Sequence, residues 1–123
     1  MNGMHPFFSR SSSYTDRNGN RLGPMAYCVA GITSCFIATF ASVAASQGVK
    51  LTKLIVNTEC MINFAKTFDI ANEPITEGIN FDIAAESDIA DKQKLQELVK
   101  MAEERCPAMY SMSHVIKVNA QIK

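Results

Sequence analysis

The chain carries no net charge, twelve Lys plus Arg being matched by twelve Asp plus Glu. That balance removes the basic footprint a nucleic-acid binder or a polybasic membrane binder needs, so neither partner is expected. Zinc and disulfide frameworks lack material too. The cysteines, Cys28, Cys35, Cys60 and Cys106, are far apart with no C-x-x-C pair, and His5 and His114 add no ligand spacing. A glycine-rich phosphate loop, a Ser-His-Asp arrangement and a His/carboxylate metal cluster are all missing. No long internal repeat is visible, which excludes a solenoid. The N-terminus lacks a basic segment followed by an apolar one of signal-peptide length, so a cytoplasmic protein is the expectation.

Charge is also absent from Leu22 to Val49, a run long enough to cross a bilayer. A membrane span is set aside because Ala, Ser, Thr, Gly and Cys dominate the run and bulky residues are few. A helix without a charged face belongs at the centre of a protein, and 123 residues surround such a helix only with difficulty. A partner subunit is therefore expected to help cover it.

Residues 1–22 are polar and rich in turn chemistry, with Ser11–Ser13 and Asn18-Gly19-Asn20, and read as an arm or loop before one domain over 23–123. Pro24 suits the first turn of a helix running to Gln47, with Gly48 to stop it. Leu54, Val56, Thr58, Cys60, Ile62 and Phe64 then alternate with polar neighbours as a strand. After Asn72-Glu73-Pro74, a second strand places Ile75, Ile79, Phe81, Ile83 and Ala85 on one face. Asp88 can cap an amphipathic helix with the apolar stripe Leu95, Leu98, Val99 and Ala102, expected to pack on the sheet. Pro107 starts a short helical turn, and Ile116, Val118, Ala120 and Ile122 alternate as a last strand. The class is α+β.

The reactive inventory is cysteine. Cys28, Gly31, Cys35, Ala38, Ser42 and Ala45 fall on one side of the long helix, whose small residues permit close approach. Free cysteines commonly serve as small buried hydrophobes, which is the simplest account of Cys28 and Cys60. Cys106 differs because Pro107 makes it the cap of a helical turn, where backbone N–H groups favour a thiolate and Arg105 is adjacent. If the short helix packs on the small-residue face of the long one, Cys35 and Cys106 form a buried thiol pair suited to redox chemistry. Met25, Met101, Met109 and Met112 read as adaptable core filler, Tyr27 and Tyr110 as core packing, and His114 as a structural histidine.

The segment PMAYCVAGITSCFIATFASVAASQGV, the strand start LTKLIVNTEC and the helix end AEERCP together resemble the OsmC/Ohr family of osmotically induced and organic-hydroperoxide-resistance proteins, over roughly Gly23 to Lys123. The resemblance implies an intertwined homodimer whose sheets wrap around central helices, with active sites at the subunit interface. It implies that Cys35 is peroxidatic and Cys106 resolving, with organic hydroperoxides as substrate. A lipoyl-protein or thioredoxin-like dithiol donor is the implied reductant, and no prosthetic group is required. Two departures stand out. The family glutamate after the helix-opening proline is replaced by Met25, Ala26 and Tyr27, and the N-terminal stretch is too short for the strands that carry the family arginine. Arg10, Arg17 and Arg21 are candidates without motif support. These departures motivate an alternative, an OsmC-like protein of weak or no catalysis that holds an apolar or acyl ligand at the dimer interface.

Overall fold

A computed structural model describes residues 23–123; the arm read over residues 1–22 lies outside them. The order of elements is α1 (Pro24–Ser46), β1 (Leu51–Cys60), β2 (Ile79–Ser87), α2 (Lys92–Arg105) and α3 (Pro107–Ser113). This is the expected α+β class.

α1 has Pro24 in its first turn and no side-chain cap, since Gly23 occupies the capping position. Its end is better specified. Gly48 adopts φ +70, its N–H bonds the Ala45 carbonyl at 3.0 Å, and the Val49 N–H reaches back to Ala44 at 2.8 Å. Those two bonds make the Schellman arrangement, in which glycine takes the left-handed position. Val49 and Ala44 then both enter the core. The bulky residues of α1, including Ile32, Phe36, Phe40 and Val43, are buried, while Gly31, Ala38, Ser42 and Ala45 lie exposed. The helix is long and apolar enough to cross a membrane, yet its bulky side is the centre of the domain core.

β1 and β2 pair antiparallel from Leu51↔Ser87 to Cys60↔Ile79, with an irregularity between Leu51 and Lys53. Leu54, Val56 and Thr58 share the inner face with Ala85, Ile83 and Phe81, as their alternation requires. Phe81 meets Phe36 of α1 at 6.3 Å between ring centroids, tilted. β1 was expected to run to Phe64 and β2 to start near Ile75, and both ladders are shorter. The cause is local. Asn63 accepts the Ala65 N–H at its side-chain oxygen (2.9 Å) and donates its amide to Glu73 (2.8 Å), and its backbone N–H reaches the Ile75 carbonyl at 2.7 Å. These bonds close a turn-rich excursion over 61–78 in place of a continuous hairpin.

α2 is capped by Asp91, whose carboxylate accepts the Lys94 N–H at 2.8 Å, rather than by Asp88. The chain at Asp88 is still leaving β2, where Ser87 bonds the Ile89 N–H and the Lys50 carbonyl. Leu95, Leu98 and Ala102 are buried and join Phe36, Phe40, Val43 and Val56 in one core cluster. α2 packs against α1 and leaves a groove toward β2. The expected last strand is not formed among the described residues: 114–123 carry no ladder, and Val115, Val118 and Ile122 are exposed.

Candidate functional site

Cys35 sits midway along α1, half-buried and packed against the core cluster. Its carbonyl accepts the Thr39 hydroxyl at 2.9 Å. Cys106 belongs to that same cluster and is fully buried. Two helices meet at this residue. Its N–H donates to the Ala102 carbonyl at 2.8 Å, ending α2, and its carbonyl accepts the Tyr110 N–H at 2.9 Å, beginning α3. Its sulfur accepts the Met109 N–H at 3.4 Å, so the thiol itself serves as the cap of α3, with Pro107 in the first turn.

The sequence places these two cysteines 71 positions apart by number (106 − 35), and the fold brings their elements together, since α1 contacts both α2 and α3. Met101, Ala108 and Met109, each partly buried, pack against the same cluster, an adaptable apolar surround of the kind methionine provides. All four cysteines are free thiols. Cys28 is exposed. Cys60 packs against a separate small cluster of Ala26, Val29 and Ala30, with its sulfur 3.4 Å from the Thr76 hydroxyl. Neither joins the Cys106 core. Arg105 points its residue to solvent, and the candidates Arg10, Arg17 and Arg21 lie outside the described residues. Among those residues no group of three or more metal-ligating side chains converges.

Two expectations are corrected here. Tyr27 and Tyr110 are exposed rather than packed in the core; the Tyr110 ring stacks on His114 at 4.0 Å. His114 in turn donates from Nδ1 to the Tyr110 carbonyl at 2.7 Å, closing the end of α3 as a structural histidine does. One pair was missed. Thr33 and Thr58 are both buried, and their hydroxyls lie 2.7 Å apart, joining α1 to β1. The inward-reading position of Thr58 was the available signal.

A thiol on a central helix and a thiol at the junction of two smaller helices, sharing one apolar core beneath an antiparallel sheet, define a cysteine-bearing α+β protein. The chain belongs to the family described as OsmC-like protein, whose family model matches residues 17–121. Among solved structures it is similar to the OsmC-like protein from Mycoplasma pneumoniae, with TM-score 0.67 and 19% identity over 84% of this chain and 70% of that one. It is similar also to an OsmC-like protein of unknown function from Vibrio cholerae, with TM-score 0.58, 21% identity, and coverage of 74% and 58%. A third likeness is to an organic hydroperoxide resistance protein OsmC from Legionella pneumophila, with TM-score 0.57, 19% identity, and coverage of 76% and 63%. The chain thus spans less than two thirds of the length of the latter two. No curated protein sequence matches it.

Proposed function

We propose that this chain is a thiol-dependent peroxidase of organic hydroperoxides, acting in oxidative-stress defence. The observation that carries the reading is the convergence of Cys35 and Cys106 on one core cluster. Family membership supports it, as does likeness to the Legionella pneumophila protein described as an organic hydroperoxide resistance protein. The Cys35 thiolate attacks the O–O bond, the alkoxide leaves and takes a proton as alcohol, and Cys35 is left as sulfenic acid. Cys106 then condenses with it, forming the Cys35–Cys106 disulfide and releasing water. An external dithiol, of lipoyl-protein or thioredoxin-like class, reduces that bridge and is itself oxidised to its disulfide. The protein acts in the cytoplasm as a homodimer, with no prosthetic group.

The test is anaerobic addition of one equivalent of cumene hydroperoxide to reduced protein, with disulfide mapping by mass spectrometry. A stoichiometric Cys35–Cys106 bridge is expected, together with loss of peroxide consumption in Cys35→Ser. Undiminished turnover in Cys35→Ser overturns the reading.

The complete burial of Cys106 favours a second reading, in which the cysteines are packing and the dimer interface holds an apolar or acyl ligand. Native mass spectrometry showing a co-purified lipid, with no peroxide consumption under any dithiol, would support it.

A further inference from the structure

The Cys106 side chain is completely buried, and reduction of a disulfide requires an outside sulfur to reach one of the two bridged ones. The cover over Cys106 therefore bears on how the proposed cycle closes. Part of that cover is α3, whose Ala108 and Met109 pack against the cluster that holds Cys106. α3 has seven residues, none of them fully buried, whereas α2 sinks Leu95, Leu98 and Ala102 into the core. A helix so short is marginal by itself, so its order depends on how its ends are tied.

The far end is tied by oxygen and nitrogen. The Ser113 hydroxyl bonds the Met109 and Tyr110 carbonyls at 2.8 and 3.1 Å, and His114 adds its bond to the Tyr110 carbonyl and its stacked ring. The near end is tied by sulfur, through the Met109 N–H donated to Cys106 Sγ at 3.4 Å. Ser, Thr, Asp and Asn are the common caps, and a thiol is a weak acceptor that strengthens as thiolate. A bridged sulfur can no longer become thiolate. Its place is also dictated by the second sulfur, about 2 Å away, rather than by the Met109 N–H. Oxidation thus acts on the one side-chain atom that caps the first turn of α3.

We propose that α3 is a redox-operated latch: the free Cys106 sulfur holds its first turn closed, and the Cys35–Cys106 bridge releases that turn and opens the bridge to the dithiol. The inference rests on the peroxidase reading above. Bridge formation joins the Cys35 sulfenic acid to the Cys106 thiol and releases water. A thiolate of the dithiol then attacks one bridge sulfur and forms a mixed disulfide, and its second thiol displaces the protein sulfur, leaving the dithiol oxidised and both cysteines reduced. The Cys106 sulfur is free again, takes back the Met109 N–H, and α3 closes. A serine cap would hold α3 equally well but could not be withdrawn by the reaction.

The experiment is backbone hydrogen exchange followed by mass spectrometry on the reduced full chain and on the same chain after one equivalent of cumene hydroperoxide, with disulfides mapped in each sample. Reduction of the bridge by dithiothreitol is timed alongside, in the unmodified chain and in His114→Ala, which loosens the other end of α3 without touching either thiol. The expected result is exchange over 107–113 faster by roughly 2- to 30-fold in the bridged form, the factor that loss of a cap carries, with α1 and β1 unchanged. His114→Ala is expected to shorten the time dithiothreitol needs. A bridge that forms while exchange over 107–113 stays the same overturns the latch and leaves the peroxidase reading standing. So does an α3 that exchanges faster in His114→Ala while its bridge is reduced no faster. A chain that forms no bridge overturns both. If His114→Ala fails to fold, the two forms of the unmodified chain decide by themselves.

Discussion

Thr33 and Thr58 are joined by a hydrogen bond of defined direction. The Thr33 hydroxyl donates its one proton to the Val29 carbonyl at 2.8 Å, so the 2.7 Å contact is Thr58 donating to Thr33. The pair is therefore unequal. Thr33→Val leaves a buried donor on Thr58 without its acceptor and is expected to cost roughly 1–3 kcal/mol. Thr58→Val leaves Thr33 still bonded to its own helix, and its expected cost is about 1 kcal/mol. Urea denaturation of the two variants gives the ordering directly; equal costs would contradict the assigned direction.

Gly48 stops α1 at positive φ with nothing near the position of an added Cβ. Gly48→Ala should then be destabilising by about 1–2 kcal/mol from backbone strain alone. Gly48→Asn should cost less, because Asn visits the left-handed region more readily. Thermal unfolding of both variants checks the ranking.

The sulfur of Cys106 caps α3, and on the proposed reading it also resolves the Cys35 sulfenic acid; substitution separates the two. Cys106→Ser keeps an acceptor for the Met109 N–H, whereas Cys106→Ala removes the cap, a loss of roughly 0.5–2 kcal/mol. Neither variant can form the disulfide that the proposed function requires. Amide exchange over 107–113 should rise in the alanine variant more than in the serine variant, while both stall after a single equivalent of peroxide.

Leu98 is fully buried in the cluster that joins α1, α2 and β1. Leu98→Ala is expected to cost about 2–5 kcal/mol, a large part of a small domain's stability. Leu95 is buried too, at the edge of the groove beside β2. Leu95→Ala should cost less in the single chain, and chemical denaturation of both variants tests the difference.

The features legible in the sequence were those with a short-range cause. Pro24 and Gly48 bound α1 because a proline start and a left-handed glycine stop act within a turn of the helix. The inner faces of β1 and β2 followed from alternation alone. What failed was decided by competition. Alternation at Ile62 and Phe64 continued the pattern of β1, but the Asn63 side chain draws the chain into its own turn. Asp88 read as the cap of α2, but the hydrogen bonds of Ser87 keep it in the connection and Asp91 takes the capping position. The last strand had the right period but forms no ladder among the described residues, and a strand is a property of pairs rather than of a segment. At the site, the Pro107 signal placed Cys106 at a helix start correctly. The participation of Met101 and Met109 in its surround required the packing of three helices, which no local pattern encodes.

The sides of α1 differ in bulk, Phe36 and Phe40 inward and Gly31 and Ala38 outward, with no charge on either. Turning this helix by a residue would bury no ion and expose none, so its setting rests on keeping Phe36 and Phe40 out of water and on the fit of their shapes. Its angular setting is a steric key, cut by ring and methyl shapes, with Thr33 as a polar tooth engaging Thr58. Shaving that key, by trimming Phe36 or Phe40, would widen the range of angles the helix explores before it unfolded the domain. Cys35, riding on the same rod, would lose its fixed place against the core cluster.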